Sequence, residues 1–307
     1  MSRVVADAVA VRVPATSANL GPGFDSLGLA LGLHDDLEVR ATTGAARVTV
    51  TGEGADSLPE GEDHLVVRAV RLGLEAAGAP QVGLDLRATN RIPHGRGLGS
   101  SAAAVVAGLL AARGLLDPGA GEAGGPLDDP SVLALATELE GHPDNAAPAL
   151  LGGATVAWID DDEGPTAVRL ALAPAIDPTV VVPVDRLSTT TARAALPASV
   201  PHADAARTAG RAALLVHALA GAPERLLAAT VDWLHQEHRR ASMPATLALV
   251  DELRAQGLPA VVSGAGPSVL VLAPVDPTPA RLLVARGWRV VAPGVDLVGA
   301  QVRTIDA

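Results

Sequence analysis

Apolar and polar positions alternate through residues 4–13, VVADAVAVRV, a period of two that predicts a valine-rich strand. The next stretch, PATSANLGPGFDS, loses that period and reads as a loop, after which LGLALGLHDDLEVRA predicts one or two strands. VTVTG at 48–52 predicts a short strand, and VGLDLRAT at 82–89 alternates strictly and predicts another. Between them, residues 63–78 place apolar positions at helical spacing, with an acidic start and a glycine stop. A helix is expected from Ser100 to about Leu116 and another from about Ser131 toward Glu140, with a glycine- and proline-rich surface loop between them. Strands are expected at 153–159, 167–172 and 179–184, and helices over most of 188–256. The chain closes on strand, strand, helix, strand, strand. Hairpin-like strands mixed with helices, without a regular βαβ rhythm, predict an α+β fold over a doubly wound parallel sheet.

Composition narrows the function classes. The 307 residues are 49% hydrophobic, yet no apolar run approaches the roughly 18 residues that span a bilayer. The alternating N-terminus, with an acidic residue inside it, does not read as a signal peptide. No cysteine is present, which excludes disulfides, thiolate catalysis and cysteine metal sites and agrees with a cytoplasmic protein. A net charge of -11 argues against nucleic-acid binding, where a basic face supplies most of the affinity. No basic tail or basic amphipathic helix points to a membrane surface. All 23 basic residues are arginine, phenylalanine occurs once and asparagine three times, the bias of a very GC-rich coding sequence. Residues that such a bias thins persist at Asn19, Phe24 and Asn145, all within the polar stretches considered next.

Four such stretches interrupt the apolar pattern. RIPHGRGLGSSAAA at 91–104 sets Gly95, Gly97 and Gly99 one residue apart, directly before an alanine-rich helix. That spacing is neither of the common nucleotide fingerprints, and no lysine is available anywhere in the chain. Glycines that admit close backbone approach, followed by the free N–H groups of a helix start, can hold a polyphosphate without lysine, especially beside magnesium. The same residues also read as an ordinary strand-to-helix turn with a serine cap. PATSANLGPGFDSLG at 14–28 brings Ser17, Asn19 and Asp25 close together, or is a capped turn holding a hairpin. ELEGHPDN sets Glu138, Glu140, His142, Asp144 and Asn145 around a turn, where a carboxylate could complete a magnesium site or the residues could simply cap a helix. SGAGPSVLVL at 263–272 is a second glycine-rich turn between apolar segments.

Taken in order, PATSANLGPGFDSLG, PHGRGLGSSAAA, EGHPDNAAPALLGG and SGAGPSV resemble the GHMP superfamily of small-molecule kinases, which includes galactokinase, homoserine kinase, mevalonate kinase and phosphomevalonate kinase. Within it the chain is similar to the homoserine kinases, with STTTARAALP at 188–197 and HQEHRRASMP at 235–244 also fitting, so the resemblance spans residue 13 to about 270. It implies an N-terminal nucleotide-binding domain of the ribosomal-protein-S5-domain-2-like type over 1–165, with an unusual left-handed βαβ element. A ferredoxin-like domain over 166–307 and an active site between the two complete the expectation. The implied reaction is transfer of the ATP γ-phosphate to the hydroxyl of L-homoserine on the route to threonine, with ATP and Mg2+ required and a homodimer expected.

Carried over by position, the resemblance makes Pro93, His94, Gly95, Arg96, Gly97, Leu98, Gly99, Ser100, Ser101, Ala102 and Ala103 the phosphate loop. Ser101 and Glu140 become the magnesium ligands, with Glu138 the rival carboxylate. Asn19, Asp25, His142 and Asn145 are expected to line the homoserine pocket. Asp25 suits the ammonium, while Arg193 and Arg239 suit the carboxylate through paired guanidinium hydrogen bonds, with Arg240 the alternative to Arg239. Asp144 is the candidate general base, and Asn145 is favoured instead as the residue that orients the hydroxyl. The family's tyrosine before the second arginine is His238 here; His235 and His238, three apart, read as a solvated helix face rather than a metal pair. Asp160 to Glu163 read as a solvated turn. The rival functions are another kinase of the superfamily, acting on mevalonate, shikimate or a sugar, and a nucleotide-binding regulator without catalysis. A zwitterionic substrate needs both Asp25 and the arginines, which separates it from a sugar.

Overall fold

Valine alternation carries the chain into β1 (Ala8–Ala18), which continues through Pro14–Ala18 where the sequence pattern predicts a loop. That extension needs no apolar period, because β2 (Leu27–Thr42) pairs antiparallel along its whole length, with a register shift at Pro14/Ala15. The structure, a computed structural model, describes residues 2–306. β3 (Arg47–Gly52) and β4 (Gly83–Asn90) pair in parallel and are joined through α1 (Leu65–Ala76). Then follow α2 (Ser100–Leu115), α3 (Asp129–Glu140), α4 (Ala146–Leu151) and the hairpin of β5 (Ala154–Asp160) with β6 (Gly164–Leu170).

The second half runs β7 (Thr179–Val182), α5 (Thr189–Ala194), α6 (His202–Gly221), α7 (Leu226–Ala229) and α8 (Pro244–Ala255). It ends with β8 (Ala260–Val262), β9 (Val269–Val271), α9 (Pro277–Ala285), β10 (Arg289–Val291) and β11 (Gln301–Thr304). Helix is sparser around 230–243 than the sequence predicts, where only a short 3-10 turn at Glu237–Arg239 forms.

Among the described residues two sheets form. The first has seven strands in the order β11-β1-β2-β4-β3, with the β5–β6 hairpin attached to β2. The second has the order β10-β7-β9-β8, antiparallel throughout, and its chain order of strand, helices, two strands, helix, strand is the ferredoxin-like arrangement. The α+β expectation therefore holds. A division after residue 165 falls inside β6, and β11 returns to the first sheet beside β1.

α2 explains how this frame fixes a site. Its alanines and leucines bury almost all round, from Ala102 and Ala103 to Leu115, against β1, α1 and α3. A helix buried on every side cannot slide, and each fully buried Val or Leu contributes about 1.5–3 kcal/mol. Its N-terminus therefore opens at a fixed point between the two sheets. A smaller cluster around Leu247, Leu249, Val262 and Val269 packs α8 on the second sheet and holds the β8–β9 turn opposite that point.

Candidate active site

The four polar stretches meet around one cleft of about 300 Å³. Thr16 N–H donates to the Leu98 carbonyl at 3.1 Å, and the Ser263 hydroxyl bridges the Gly97 carbonyl at 2.6 Å and Ser17 Oγ at 2.8 Å. Gly264 N–H donates to the Ala18 carbonyl at 3.1 Å, and Asn19 Nδ2 donates to the Gly264 carbonyl at 2.9 Å. The glycine loop is thus stitched to β1 and to the β8–β9 turn. At Gly97, φ +68, a Cβ would overlap the Ser263 carbonyl oxygen, and at Gly99, φ +67, one would overlap Thr16 Oγ1. Only glycine serves at these two positions.

Gly99 caps α2 without a side-chain hydrogen bond, which leaves the first N–H groups of the helix directed at the cleft. Ser101 Oγ donates to Glu140 Oε1 at 2.5 Å, and burial raises the Glu140 carboxyl above its ordinary value. Glu138 is exposed and lies outside the cleft lining. Of the expected loop, Gly95, Gly97, Leu98, Gly99, Ser100 and Ser101 line the cleft, whereas Pro93, Ala102 and Ala103 are buried packing residues. Arg96 turns away: its guanidinium donates to the carbonyls of Pro183, Val184 and His94 and so ties the loop to the segment after β7.

The far wall is the turn after α3. His142 Nδ1 lies 2.5 Å from Asp144 Oδ1, and that hydrogen bond raises the imidazole pKa. Asn145 Oδ1 accepts from Thr16 Oγ1 at 2.8 Å, while its Nδ2 donates to Asp144 Oδ1 at 3.3 Å. Asp144 is only 1% exposed, yet it lines the cleft.

Charges gather at one end. Asp25 accepts two hydrogen bonds from Arg193, at 2.6 and 3.1 Å, which hold the guanidinium pKa above its usual value. Asp25 N–H in turn donates to Asn19 Oδ1 at 2.9 Å. Asn19, Leu20 and Asp25 all adopt positive φ, a costly conformation for residues with side chains, and strain of this kind collects at sites. Arg239 is 1% exposed, its Nε donating to the Ala192 carbonyl and its Nη1 to the Gly264 carbonyl. Burial, then the nearby Arg193 cation, lowers its pKa. Arg240 instead pairs with Glu237 and Asp251 at the surface and lies outside the cleft lining.

The expected solvated face for His235 is not found. His235 is fully buried: Nε2 lies 2.7 Å from the Gly21 carbonyl and Nδ1 lies 3.2 Å from Arg239 Nη1, so only His238 is exposed. The carbonyl fixes the proton on Nε2, leaving Nδ1 as acceptor, and burial lowers the pKa of the ring. The physical cause is local. Asp232 caps the turn through the N–H groups of Leu234, His235 and Gln236 and swings the ring inward.

A second cavity, about 290 Å³, opens on the other side of Ser100 and Ser101, which line both. Its walls are mainly apolar, with Leu58, Pro59, Val66, Ala104 and Ala107, and His64, Asn90 and His94 add polar edges. Asp35, Asp36 and Asp63 also reach its rim, and the sequence reading finds only its His94, Ser100 and Ser101 edge, because the other walls come from separate strands, helices and the 58–64 loop that only the fold brings together.

Comparison with known proteins agrees with this fold. Residues 64–153 match the GHMP kinases N terminal domain and residues 212–286 the GHMP kinases C terminal family. The chain is 51% identical to a homoserine kinase of Streptomyces avermitilis, with 98% of each chain covered. It is 50% identical to a homoserine kinase of Mycobacterium tuberculosis, over 88% of this chain and 85% of that one. Among solved structures, homoserine kinase from Cytophaga hutchinsonii superposes with a TM-score of 0.80 at 26% identity, covering 97% of this chain and 98% of that one.

Proposed function

The chain belongs to the GHMP kinases as a homoserine kinase, phosphorylating the L-homoserine hydroxyl with ATP in threonine biosynthesis, and we propose that its two cavities divide that work. The nucleoside of ATP occupies the apolar second cavity, and its phosphates cross Ser100 and Ser101 into the main cleft. Backbone N–H groups at the start of α2 take the place of the missing lysine. The residues fit magnesium: the Ser101 hydroxyl and the Glu140 carboxylate are hard oxygen donors 2.5 Å apart, and this ion needs few protein ligands beside phosphate oxygens and water. Bound there, it would neutralise phosphate charge during transfer.

Homoserine lies beyond the phosphate end. Asp25 takes the ammonium, and Arg193 and Arg239 take the carboxylate, so a zwitterion exchanges the Asp25–Arg193 pair for two pairs of its own. That exchange is easy, because a half-exposed ion pair contributes only about 0–1 kcal/mol. Asn145, fixed by Thr16 and Asp144, orients the hydroxyl with its amide. The hydroxyl oxygen bonds to the γ-phosphorus as the bond to the β–γ bridging oxygen breaks, and ADP leaves. In so loose a transfer the hydroxyl proton departs late, onto an oxygen of the transferred phosphoryl group and from there to solvent, so positioning by Asn145 carries more of the rate than base catalysis by Asp144.

One observation supports this reading above the others: Arg193 and Arg239 share a cleft with the glycine loop and the Ser101–Glu140 pair, and Asp25, outside the lining itself, is bound to Arg193 at its edge. A sugar or mevalonate needs no such set of both charges. The test is a screen of L-homoserine, L-threonine, L-serine, mevalonate and shikimate with magnesium-ATP. Homoserine should be consumed with stoichiometric ADP formation, and turnover of mevalonate or shikimate in its place would refute the reading. A cytoplasmic homodimer completes the proposal, and sedimentation of the purified chain would test the dimer.

A further inference from the structure

Phe24, the only phenylalanine in the chain, packs against Arg193 and Arg239, the two arginines that line the cleft. Its ring stacks on His235 with centroids 4.9 Å apart and planes 24° apart. The guanidinium carbon of Arg193 lies 5.6 Å from the ring centroid and that of Arg239 lies 5.7 Å away. Two like charges that must address one carboxylate repel each other, and that repulsion opposes the arrangement wherever no anion is bound. An aromatic face within about 6 Å attracts both cations through its quadrupole.

The ring is itself well anchored. His235 behind it is held by the Gly21 carbonyl at 2.7 Å, and the loop on either side of the ring is closed by the hydrogen bond from Asp25 N–H to Asn19 Oδ1. Arg239 has its Nε and Nη1 committed to Ala192, Gly264 and His235, while Nη2 has no hydrogen-bond partner among the described residues. Arg239 also lines the cleft. Among the described residues the Arg193 guanidinium hydrogen-bonds only to Asp25, the group that the proposed substrate ammonium takes over. Once Asp25 turns to the ammonium, the Phe24 ring is the contact that still fixes the Arg193 guanidinium relative to Arg239.

We propose that Phe24 is a positioning residue for the substrate carboxylate, its ring holding the guanidinium groups of Arg193 and Arg239 at the spacing one carboxylate bridges. This rests on the homoserine reading above. Phe24 touches no reacting atom, so its loss should appear in substrate binding and not in the chemical step.

The test compares wild type, Phe24→Leu, Phe24→Met and Phe24→Tyr. Steady-state constants are measured for L-homoserine and for 3-aminopropan-1-ol, which lacks only the carboxylate, and ATP affinity is measured by calorimetry. Phe24→Leu and Phe24→Met should each raise the homoserine KM by about tenfold with kcat within about twofold, as the loss of two cation–ring contacts requires. Phe24→Tyr, which keeps the ring, should restore the KM to within about threefold of wild type. ATP affinity and the constants for 3-aminopropan-1-ol should not move, and Phe24→Leu should cost little further in an Arg193→Ala background. An unchanged homoserine KM in both aliphatic variants would overturn the proposal, as would an equal loss on both substrates. A wild-type enzyme that ignores homoserine would instead defeat the homoserine reading, so the two failures are distinct.

Discussion

Glu140 shows at a single residue how the site sets function against stability. Burial raises its carboxyl pKa in the folded chain, so its contribution to stability is full below the unfolded value and is lost as pH rises through the folded one. At neutral pH the ionised form is therefore a cost, tolerated for the sake of the ion it would hold. Glu140→Gln should unfold at a higher temperature at pH 7 while turnover falls at least ~10-fold, and nucleotide binding should weaken only when magnesium is present. Paired melting curves and magnesium titrations check this, and an unchanged titration would move the role elsewhere. His142 has the same sign for a different reason. Asp144 raises its pKa, so the stabilisation is complete below about pH 6.5 and declines as pH rises through the higher folded value. His142→Gln should flatten the pH dependence of stability above that point, measured by urea unfolding at several pH values. Asp25→Asn and Arg193→Ala each remove a charge-assisted bond to homoserine worth roughly 1.5–3 kcal/mol. Both should lower kcat/KM for homoserine by at least ~10-fold, with ATP affinity measured without homoserine unchanged.

Elements rather than residues decide where the sequence could be read. The boundaries of α1, α2 and α3 follow from apolar spacing and their caps, and the glycine loop follows from its composition. Pro14–Ala18 escapes, because its strand character comes from hydrogen bonds to β2 and not from any alternation of its own. His235 escapes for a related reason. Its inward turn depends on the Asp232 cap, while its helical spacing to His238 points outward. The start of α2 carries the element-scale prediction. Gly99→Ala would place a Cβ on Thr16 Oγ1 at a positive φ, so the Thr16–Asn145 bond and the helix start should both be displaced. Destabilisation of at least ~2 kcal/mol is expected, with nucleotide affinity weakened more than ~10-fold. Urea unfolding and a nucleotide titration would show it, and a variant that retains both properties would contradict the fit described here.

At the scale of the whole molecule the site exists only between parts distant in sequence. Asn19 meets Gly264, Ser17 meets Ser263, Ser101 meets Glu140 and Asp25 meets Arg193. Each partner was legible as chemistry within its own stretch, but the pairing of Asp25 with Arg193 and the second cavity were not, since both arise from packing of separate elements. The homoserine kinase resemblance gathered these stretches into one site before any contact was visible. The claim at the centre is that one cleft reads both ends of a zwitterion beside a phosphate-binding loop. The most direct measurement is kcat/KM of the wild-type chain, with magnesium-ATP, for L-homoserine, for 3-aminopropan-1-ol without the carboxylate and for 4-hydroxybutanoate without the amine. Homoserine should exceed each truncated substrate by at least ~10-fold, since each lacks a charge-assisted contact of more than about 1.4 kcal/mol. Equal values for homoserine and either truncated substrate would mean that the corresponding charge is not read and that the account of the cleft is wrong.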